Sequence, residues 1–214
     1  YGVLKHQGRM HQELMVYPNQ FFYDNILEIL PFGEGRQVGT LNGQTQSGNA
    51  LAQCLTDYRT IFIPTRTRND LNHKVNDEEA DRVADIVECL LRERPDLPMS
   101  EIGIITPYRA QIANIRHALG RKNLDHMDLT VDTVERYQGG AKDVIIISYC
   151  INALSQVHQL KDSLTPDGVD RKLNVAMTRA REQIIFLANE ELMREHPLYE
   201  ALMFQYFNFQ PRAV

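Results

Sequence analysis

Short, almost entirely apolar segments recur along this chain, and they constrain its fold more than any other feature. The clearest are IGIIT (102–106), VIIIS (144–148) and QIIFLAN (183–189). Each is long enough for one strand, and β-branched residues dominate the first two. Because both faces of such strands are apolar, they are typical of a parallel sheet that helices cover on both sides.

Segments with helical periodicity alternate with these strands. The first begins at Asn76, where Glu79 completes a capping-box pattern, and its apolar positions repeat to about Arg94. Further helices are predicted at 108–119, at 170–180 and from Glu190 onward with an interruption at Pro197, and further strands at 59–65, ended by Pro64, and at 128–134. This alternation predicts a single α/β domain over 1–214 with a mostly parallel β-sheet flanked by helices.

Two stretches lack this periodicity. Residues 31–58 contain five glycines among polar residues, which predicts a loop or a small hairpin insertion. Residues 152–169 are polar and contain Pro166 and Gly168, which predicts a mobile loop.

Composition and charge narrow the class of protein. The chain is 43% hydrophobic and 24% charged, with a net charge of −5, as in an ordinary globular protein. No apolar run could span a bilayer and no signal peptide is apparent, so we expect a cytoplasmic protein without a membrane partner. The three cysteines, Cys54, Cys89 and Cys150, have no metal-site or disulfide spacing, which predicts buried thiols and no metal site. Nine acids and three arginines fall within 76–101, which predicts an acidic helix face and leaves a basic groove elsewhere open.

No complete active site is evident. The chain has no G-x-x-x-x-G-K-[ST] segment, so it has no phosphate loop of that kind. Open α/β sheets bind ligands beyond the carboxyl ends of their strands. The candidate binding segments are therefore 106–109, 135–142 and the helix that contains RKLNVAMTRAR (171–181).

Four stretches in order resemble the carboxyl-terminal RecA-like domain of superfamily-one helicases, in the branch of the nonsense-mediated-decay helicase and its DNA-replication relatives. They are QGRMH with YPNQFFYD (7–11 and 17–24), IGIITPYRAQ (102–111), TVERYQGGAKDVIIIS (133–148) and RKLNVAMTRAR (171–181). The resemblance implies a RecA-like P-loop NTPase second domain within a longer polypeptide. ATP and Mg²⁺ would then be bound mainly by an amino-terminal RecA-like domain, the partner of this one.

The resemblance also implies roles for individual residues. Arg179 matches the arginine finger and Arg9 its companion, and both would reach the γ-phosphate of ATP. Gln7, Gln138, Gly139 and Gly140 would contact or adjoin the nucleotide. Six residues would hold the backbone of single-stranded DNA or RNA: Thr106, Pro107, Tyr108, Arg109, Thr133 and Val134.

Departures from the family pattern leave alternatives open. Gly8 stands where many relatives have Tyr, Ala141 where they have Glu, and Glu135 where they usually have Asp. Loss of the aromatic and the acid favours weaker ATP binding, or a catalytically degenerate domain that serves as a binding module. A nucleotide-binding domain that acts on something other than nucleic acid is a third reading.

Some of the candidate residues also have a plain structural interpretation. Tyr108 could equally be a helix-start residue that packs on the sheet. Arg171, Lys172 and Arg181 are expected on a solvated helix surface.

Overall fold

A computed structural model describes residues 5–30, 41, 48–66, 74–125, 128–137, 140–163 and 169–210. The strands are β1 (His6–Gln7), β2 (Glu28–Ile29), β3 (Thr60–Thr65), β4 (Ile102–Ile105), β5 (Thr130–Asp132), β6 (Lys142–Ser148), β7 (Ala180–Asn189) and β8 (Phe207–Asn208). Six of them form one sheet in the order β5-β4-β6-β7-β3-β8, and every pairing in it is parallel. β1 and β2 pair separately, also in parallel.

Helices cover both faces of the sheet. They are α1 (Gln12–Phe22), α2 (Ala50–Asp57), α3 (Asp77–Glu93), α4 (Arg109–Arg121), α5 (Leu154–Ser163), α6 (Arg171–Met177), α7 (Glu190–Met193) and α8 (Pro197–Gln205). Along β7, Ile184 and Phe186 face a core shared with α1, α6 and α8, while Ile185 and Leu187 face a core shared with α2, α3 and α4. This alternation between two apolar cores explains the uniformly apolar strands and confirms the predicted fold class.

Several local predictions are confirmed. The Asn76 side chain accepts a hydrogen bond from the Glu79 amide at 3.0 Å, and the helix that it caps ends at Glu93, before Pro95. All three cysteines are buried and free.

Two predicted loops contain helices instead. Within 31–58, α2 begins after Asn49, whose side chain caps the Leu51 amide, and it buries Ala52 and Leu55 against the sheet. The glycines that suggested a loop all precede this helix, and residues 31–40 and 42–47 lie outside the described part. Within 152–169, α5 occupies 154–163 because Val157 packs into the core. Residues 164–168 of that stretch are likewise outside the description.

Other boundaries also differ from those predicted. The helix expected over 170–180 ends at Met177, and Ala180 already begins β7. The strand expected over 128–134 is limited to Thr130–Asp132, since Thr133 accepts the amide hydrogen bonds of a turn. β3 continues through Pro64. β8 pairs with β3 at Ile61 and Phe62, so Pro64 lies beyond that pairing.

A buried carboxyl group, that of Glu79, ties α3 to the carboxyl ends of the strands. It accepts hydrogen bonds from the Ser148 hydroxyl at 2.7 Å, from the Cys150 amide at 2.9 Å and from the Thr65 hydroxyl at 3.3 Å. Burial raises the pKa of Glu79 to about 7 and outweighs these hydrogen bonds, which lower it. Folding therefore favours the protonated form of this group.

This raised pKa predicts a pH-dependent stability. In the unfolded chain the Glu79 pKa returns to its ordinary 4.5, so its stabilising contribution is complete below that pH and is lost as pH rises through about 7. The loss is on the order of 3 kcal/mol. We expect Glu79→Gln to remove this part of the pH dependence, because the amide has no proton to release. Urea unfolding between about pH 5 and about pH 8 tests this, with exposed Glu191→Gln as the control. Equal pH dependence in wild type and Glu79→Gln would contradict it.

Candidate functional sites at the two ends of the sheet

The candidate site residues lie at two opposite ends of the sheet. Thr106 follows the carboxyl end of β4, as predicted. Arg179 lies at the amino ends of β6 and β7, since its carbonyl accepts a hydrogen bond from the amide of Lys142, the first residue of β6, at 2.9 Å. The prediction that all candidate segments lie beyond carboxyl ends is therefore wrong for Arg179. The reason is the direction of α6, which carries the chain back across the sheet.

Arg9 and Arg179 are neighbours although they are far apart in sequence. Nη1 of Arg9 donates a hydrogen bond to the carbonyl of Thr178 at 3.0 Å. Gln7 shapes the turn that carries Arg9: its Oε1 accepts from the amides of Arg9 and Met10 at 2.9 and 2.8 Å, and its Nε2 donates to the Met10 carbonyl at 3.0 Å. The structure thus places the Arg9 guanidinium against the backbone that directly precedes Arg179, and it gives Gln7 a local hydrogen-bonding role in placing Arg9.

Arg179 differs in its surroundings from Arg181, two residues on. Arg181 donates to Asp143 at 2.7 Å and to the Ala141 carbonyl at 2.7 Å, and it also pairs with Glu101. Arg181 lies in β7 and forms ion pairs with Asp143 and Glu101, so the prediction that it lies on a solvated helix surface was wrong. Around Arg179, in contrast, no described carboxylate lies within ion-pair distance, and its Nε is buried without a hydrogen-bond partner in the described part of the chain. Its positive charge is therefore available to an anion from outside the domain.

Of the remaining candidates near the amino end of the sheet, the structure describes some and not others. Gln138 and Gly139 lie outside the described residues. Gly140 is partly buried, and an added Cβ there would have open space. A Cβ on Gly8 would approach Leu30 Cδ1 to 3.0 Å, so an aromatic residue at this position would require Leu30 to shift.

A pocket opens at the other end of the sheet, beyond the carboxyl ends of β4 and β6. Its apolar lining consists of Ile105, Val134, Ile147, Ile151, Leu173 and Ala176. Thr106, Pro107 and Tyr108 form one wall, as the sequence predicted for a shared site. The Thr106 hydroxyl is fully buried and has no hydrogen-bond partner among the described residues. The pocket wall therefore contains a buried hydroxyl that no described group satisfies.

The other predicted strand-binding residues differ in accessibility. Pro107 and Arg109 are exposed, and Tyr108 is half-buried at the start of α4. Thr133 is buried, and its carbonyl accepts from the amides of Arg136 and Tyr137 at 3.1 and 3.0 Å. Thr133 thus shapes the turn that brings Val134 to the pocket.

Charged groups at the pocket are paired within the domain. Exposed Lys172 and Glu135 form an ion pair at 2.8 Å, and the hydrogen bond from Lys172 lowers the pKa of Glu135. Asp170 is buried and caps α6 by accepting from the Leu173 amide at 2.9 Å. Its other oxygen accepts from the hydroxyls of Tyr149 and Tyr199, each at 2.9 Å. The pocket wall is therefore held by hydrogen bonds that span three segments.

Two structurally important residues were not recognised from the sequence. Asp170 stands at the N-cap position of a helix, a signal that identifies the cap but not the two tyrosines. Gln156 donates to the Tyr108 hydroxyl at 3.0 Å from a helix that the sequence did not predict. No local pattern could have indicated this contact, because the two residues are 48 positions apart.

The described residues contain neither a metal-ligand cluster nor a helix of membrane-spanning length and hydrophobicity. No group of three His, Cys, Asp or Glu side chains in the described ranges could hold a metal ion. Among the helices described, none is both long and apolar enough to cross a bilayer.

Comparison with known proteins identifies the family. The family described as AAA domain matches residues 1–191. The chain belongs to this family. Relatives include Helicase sen1 of Schizosaccharomyces pombe, 32% identical over 94% of this chain, and a Regulator of nonsense transcripts 1 homolog of Arabidopsis thaliana, 29% identical over 95%. An uncharacterized ATP-dependent helicase of Methanocaldococcus jannaschii is 28% identical over 94%.

The family assignment applies to a domain-sized part of these relatives. The chain spans only 11%, 16% and 28% of their respective lengths. A solved structure, the carboxyl-terminal domain of a possible DNA helicase from Lactobacillus plantarum WCFS1, aligns with a TM-score of 0.52 and 11% identity, over 94% of this chain and 97% of the other. Its fold is therefore shared. Together these matches confirm the resemblance to a superfamily-one helicase carboxyl-terminal RecA-like domain.

Proposed function

We propose that this chain is the second motor domain of an ATP-dependent helicase. In this proposal it supplies Arg179 and Arg9 to ATP held by an amino-terminal RecA-like domain, and it grips single-stranded DNA or RNA at the carboxyl end of its sheet. The observation that supports the proposal is the contact of the Arg9 guanidinium with the carbonyl of Thr178, the residue before Arg179, with no described carboxylate paired to Arg179.

The arrangement at the amino end suits phosphoryl transfer. Negative charge on the transferred phosphoryl group must be met by positioned cations, and a planar guanidinium can donate to two phosphate oxygens at once. Because Arg181 is occupied by Asp143 and Glu101, Arg179 is the residue of this pair that can reach a γ-phosphate. When bound, Mg²⁺ would neutralise phosphate oxygens. Its ligands and the phosphate loop are assigned to the amino-terminal domain, since this sequence lacks that loop.

The carboxyl end suits a sequence-independent grip on a single strand. It presents the aromatic ring and hydroxyl of half-buried Tyr108 and the guanidinium of exposed Arg109. An aromatic ring can stack on any base, and small polar groups can contact sugar and phosphate without reading the sequence. A motor that moves along a strand requires contacts of this kind.

Two segments connect the proposed sites. α6 begins beside the pocket, which Leu173 lines, and Arg179 follows its last turn. In the second segment, Val134 lines the same pocket, and Tyr137 lies so close to the backbone of β4 that a Cβ on Gly103 would be 1.8 Å from the Tyr137 hydroxyl. Closure of the ATP cleft onto Arg179 would therefore displace elements that also form the strand-binding pocket.

A second candidate function is a catalytically degenerate module that binds nucleic acid without ATP turnover. Gly8 and Ala141 favour it, because they replace an aromatic residue and an acid of the family pattern. The two candidates differ in ATP hydrolysis but share strand binding.

Strand binding predicts a salt-dependent affinity and a large effect at Tyr108. We expect the affinity of the chain for a fluorescein-labelled single-stranded oligonucleotide to fall linearly on a log–log plot as salt rises, because released phosphate counterions drive binding. Tyr108→Ala should weaken binding by at least about tenfold, because loss of stacking on one base alone has roughly that effect. Fluorescence anisotropy with DNA and RNA oligonucleotides measures both effects. Phe204→Ala, an exposed aromatic on α8, is the control. The proposal would be refuted if the affinity changed neither with salt concentration nor on substitution of Tyr108 by alanine.

A further inference from the structure

The amide of Gln156 makes four hydrogen bonds to residues in the described part of the chain, although it extends from a short surface helix. It is 6% exposed. Its Oε1 accepts from the backbone amides of Asn152 and Ala153 at 2.7 and 3.0 Å. Its Nε2 donates to the Cys150 carbonyl at 3.2 Å and to the Tyr108 hydroxyl at 3.0 Å. Both polar atoms of this amide are therefore fully used.

These contacts fix the direction of the hydrogen bond to Tyr108. Two backbone N–H groups can only donate, so the amide atom that they contact must be the oxygen of Gln156. The nitrogen then faces Tyr108, and because an amide nitrogen has no acceptor capacity, the Tyr108 oxygen must accept. The hydrogen of the Tyr108 hydroxyl is left for a different acceptor.

No acceptor for that hydrogen occurs among the described residues. Tyr108 is half-buried at the pocket wall, between exposed Pro107 and exposed Arg109. Arg109 favours anions here, so the acceptor best suited to the site is an anionic oxygen such as that of a phosphodiester.

We propose that Gln156 is a positioning residue that orients the Tyr108 hydroxyl so that its hydrogen is donated to a phosphate oxygen of the bound strand. The inference rests on the proposed strand-binding function and adds a specific contact to it. In this arrangement the Gln156 amide of α5 determines that the Tyr108 hydroxyl accepts from α5 and donates its hydrogen elsewhere. Gln156 itself does not touch the strand.

Two conservative substitutions test the contact. Tyr108→Phe keeps the ring and removes the donor. Gln156→Glu keeps the shape, but its carboxylate accepts the Tyr108 hydrogen and so withdraws it from the strand. Each should weaken oligonucleotide binding roughly tenfold, as expected for one lost hydrogen bond to a charged group. The double variant should bind about as weakly as either single variant, because both remove the same contact.

The salt dependence supplies a readout that general damage to the fold would not produce. A neutral hydroxyl releases no counterion, so the log–log plot for Tyr108→Phe should run parallel to that of wild type at lower affinity. Gln159→Glu, on an exposed position of the same helix, introduces the same charge and should leave affinity within about twofold of wild type. Thermal unfolding of each variant checks that α5 is retained.

The outcomes separate this inference from the proposed function. Wild-type binding by Tyr108→Phe, with weak binding by Tyr108→Ala, would overturn the hydroxyl contact and leave the stacking ring in place. Additive losses in the double variant would overturn the role of Gln156. Normal binding by Tyr108→Ala would count against the strand-binding proposal itself.

Discussion

Replacing Arg179 with alanine is expected to lower the rate of ATP hydrolysis by about 10³-fold in a polypeptide that carries both RecA-like domains. The loss should appear in kcat, because the guanidinium meets charge that develops on the transferred phosphoryl group. Arg179→Lys should recover only part of the activity, since an ammonium group cannot donate in parallel to two oxygens. Steady-state ATPase assays with saturating single-stranded oligonucleotide measure these effects.

The structure also predicts what Arg179→Ala leaves unchanged. Because no described carboxylate pairs with Arg179, its removal should shift the unfolding free energy by less than about 0.5 kcal/mol. Arg171→Ala, at an exposed position of α6, serves as the control for removal of one positive charge and should retain ATPase activity. Arg181→Ala should instead destabilise the fold, because it leaves Asp143 and Glu101 without their partner. Unimpaired turnover in Arg179→Ala would remove the basis of the arginine-finger proposal. Absent turnover in wild type would favour the degenerate module.

The sequence was most informative where local pattern and burial coincide. The apolar runs of β4, β6 and β7 are buried on both faces, so their hydrophobicity identified them directly. Asn76 and Glu79 marked the start of α3 because capping is a local interaction. α2 and α5 were missed for a related reason: each is short, and each depends on a few side chains that pack against distant elements, as Val157 does for α5.

Only part of the candidate sites could be predicted from the sequence. The motif resemblance paired Arg9 with Arg179, and the structure shows that the Arg9 guanidinium contacts the carbonyl of Thr178, the residue before Arg179. The sequence could not indicate which of Arg179 and Arg181 is internally paired, since that depends on Asp143 and Glu101 from other segments. Nor could it indicate the end of the sheet at which they lie, because the direction of α6 follows from tertiary packing.

Asp170 is expected to be the most sensitive position for stability among the residues that support the sites. Its carboxylate caps α6 and accepts from two buried tyrosine hydroxyls. Asp170→Ala removes the cap and leaves the hydroxyls of Tyr149 and Tyr199 buried without this partner. From about 1 kcal/mol for the cap and 1–2 kcal/mol for each hydroxyl, we expect a loss of about 4 kcal/mol in unfolding free energy.

Substitutions that remove different numbers of these hydrogen bonds test whether the Asp170 contacts, and not any change at α6, determine the loss of stability. Asp170→Asn keeps the capping oxygen and should lose about half as much, because its NH₂ group can donate to a tyrosine oxygen but cannot accept from it. Tyr199→Phe removes one hydroxyl and should cost about 1 kcal/mol. Asp128→Ala, at an exposed position before β5, controls for loss of a carboxylate. Urea unfolding monitored by circular dichroism gives the free energies. A loss below about 1 kcal/mol in Asp170→Ala would show that α6 is held by its apolar face alone. The expected loss would instead show that the buried hydrogen bonds of Asp170 hold α6 together with its apolar face.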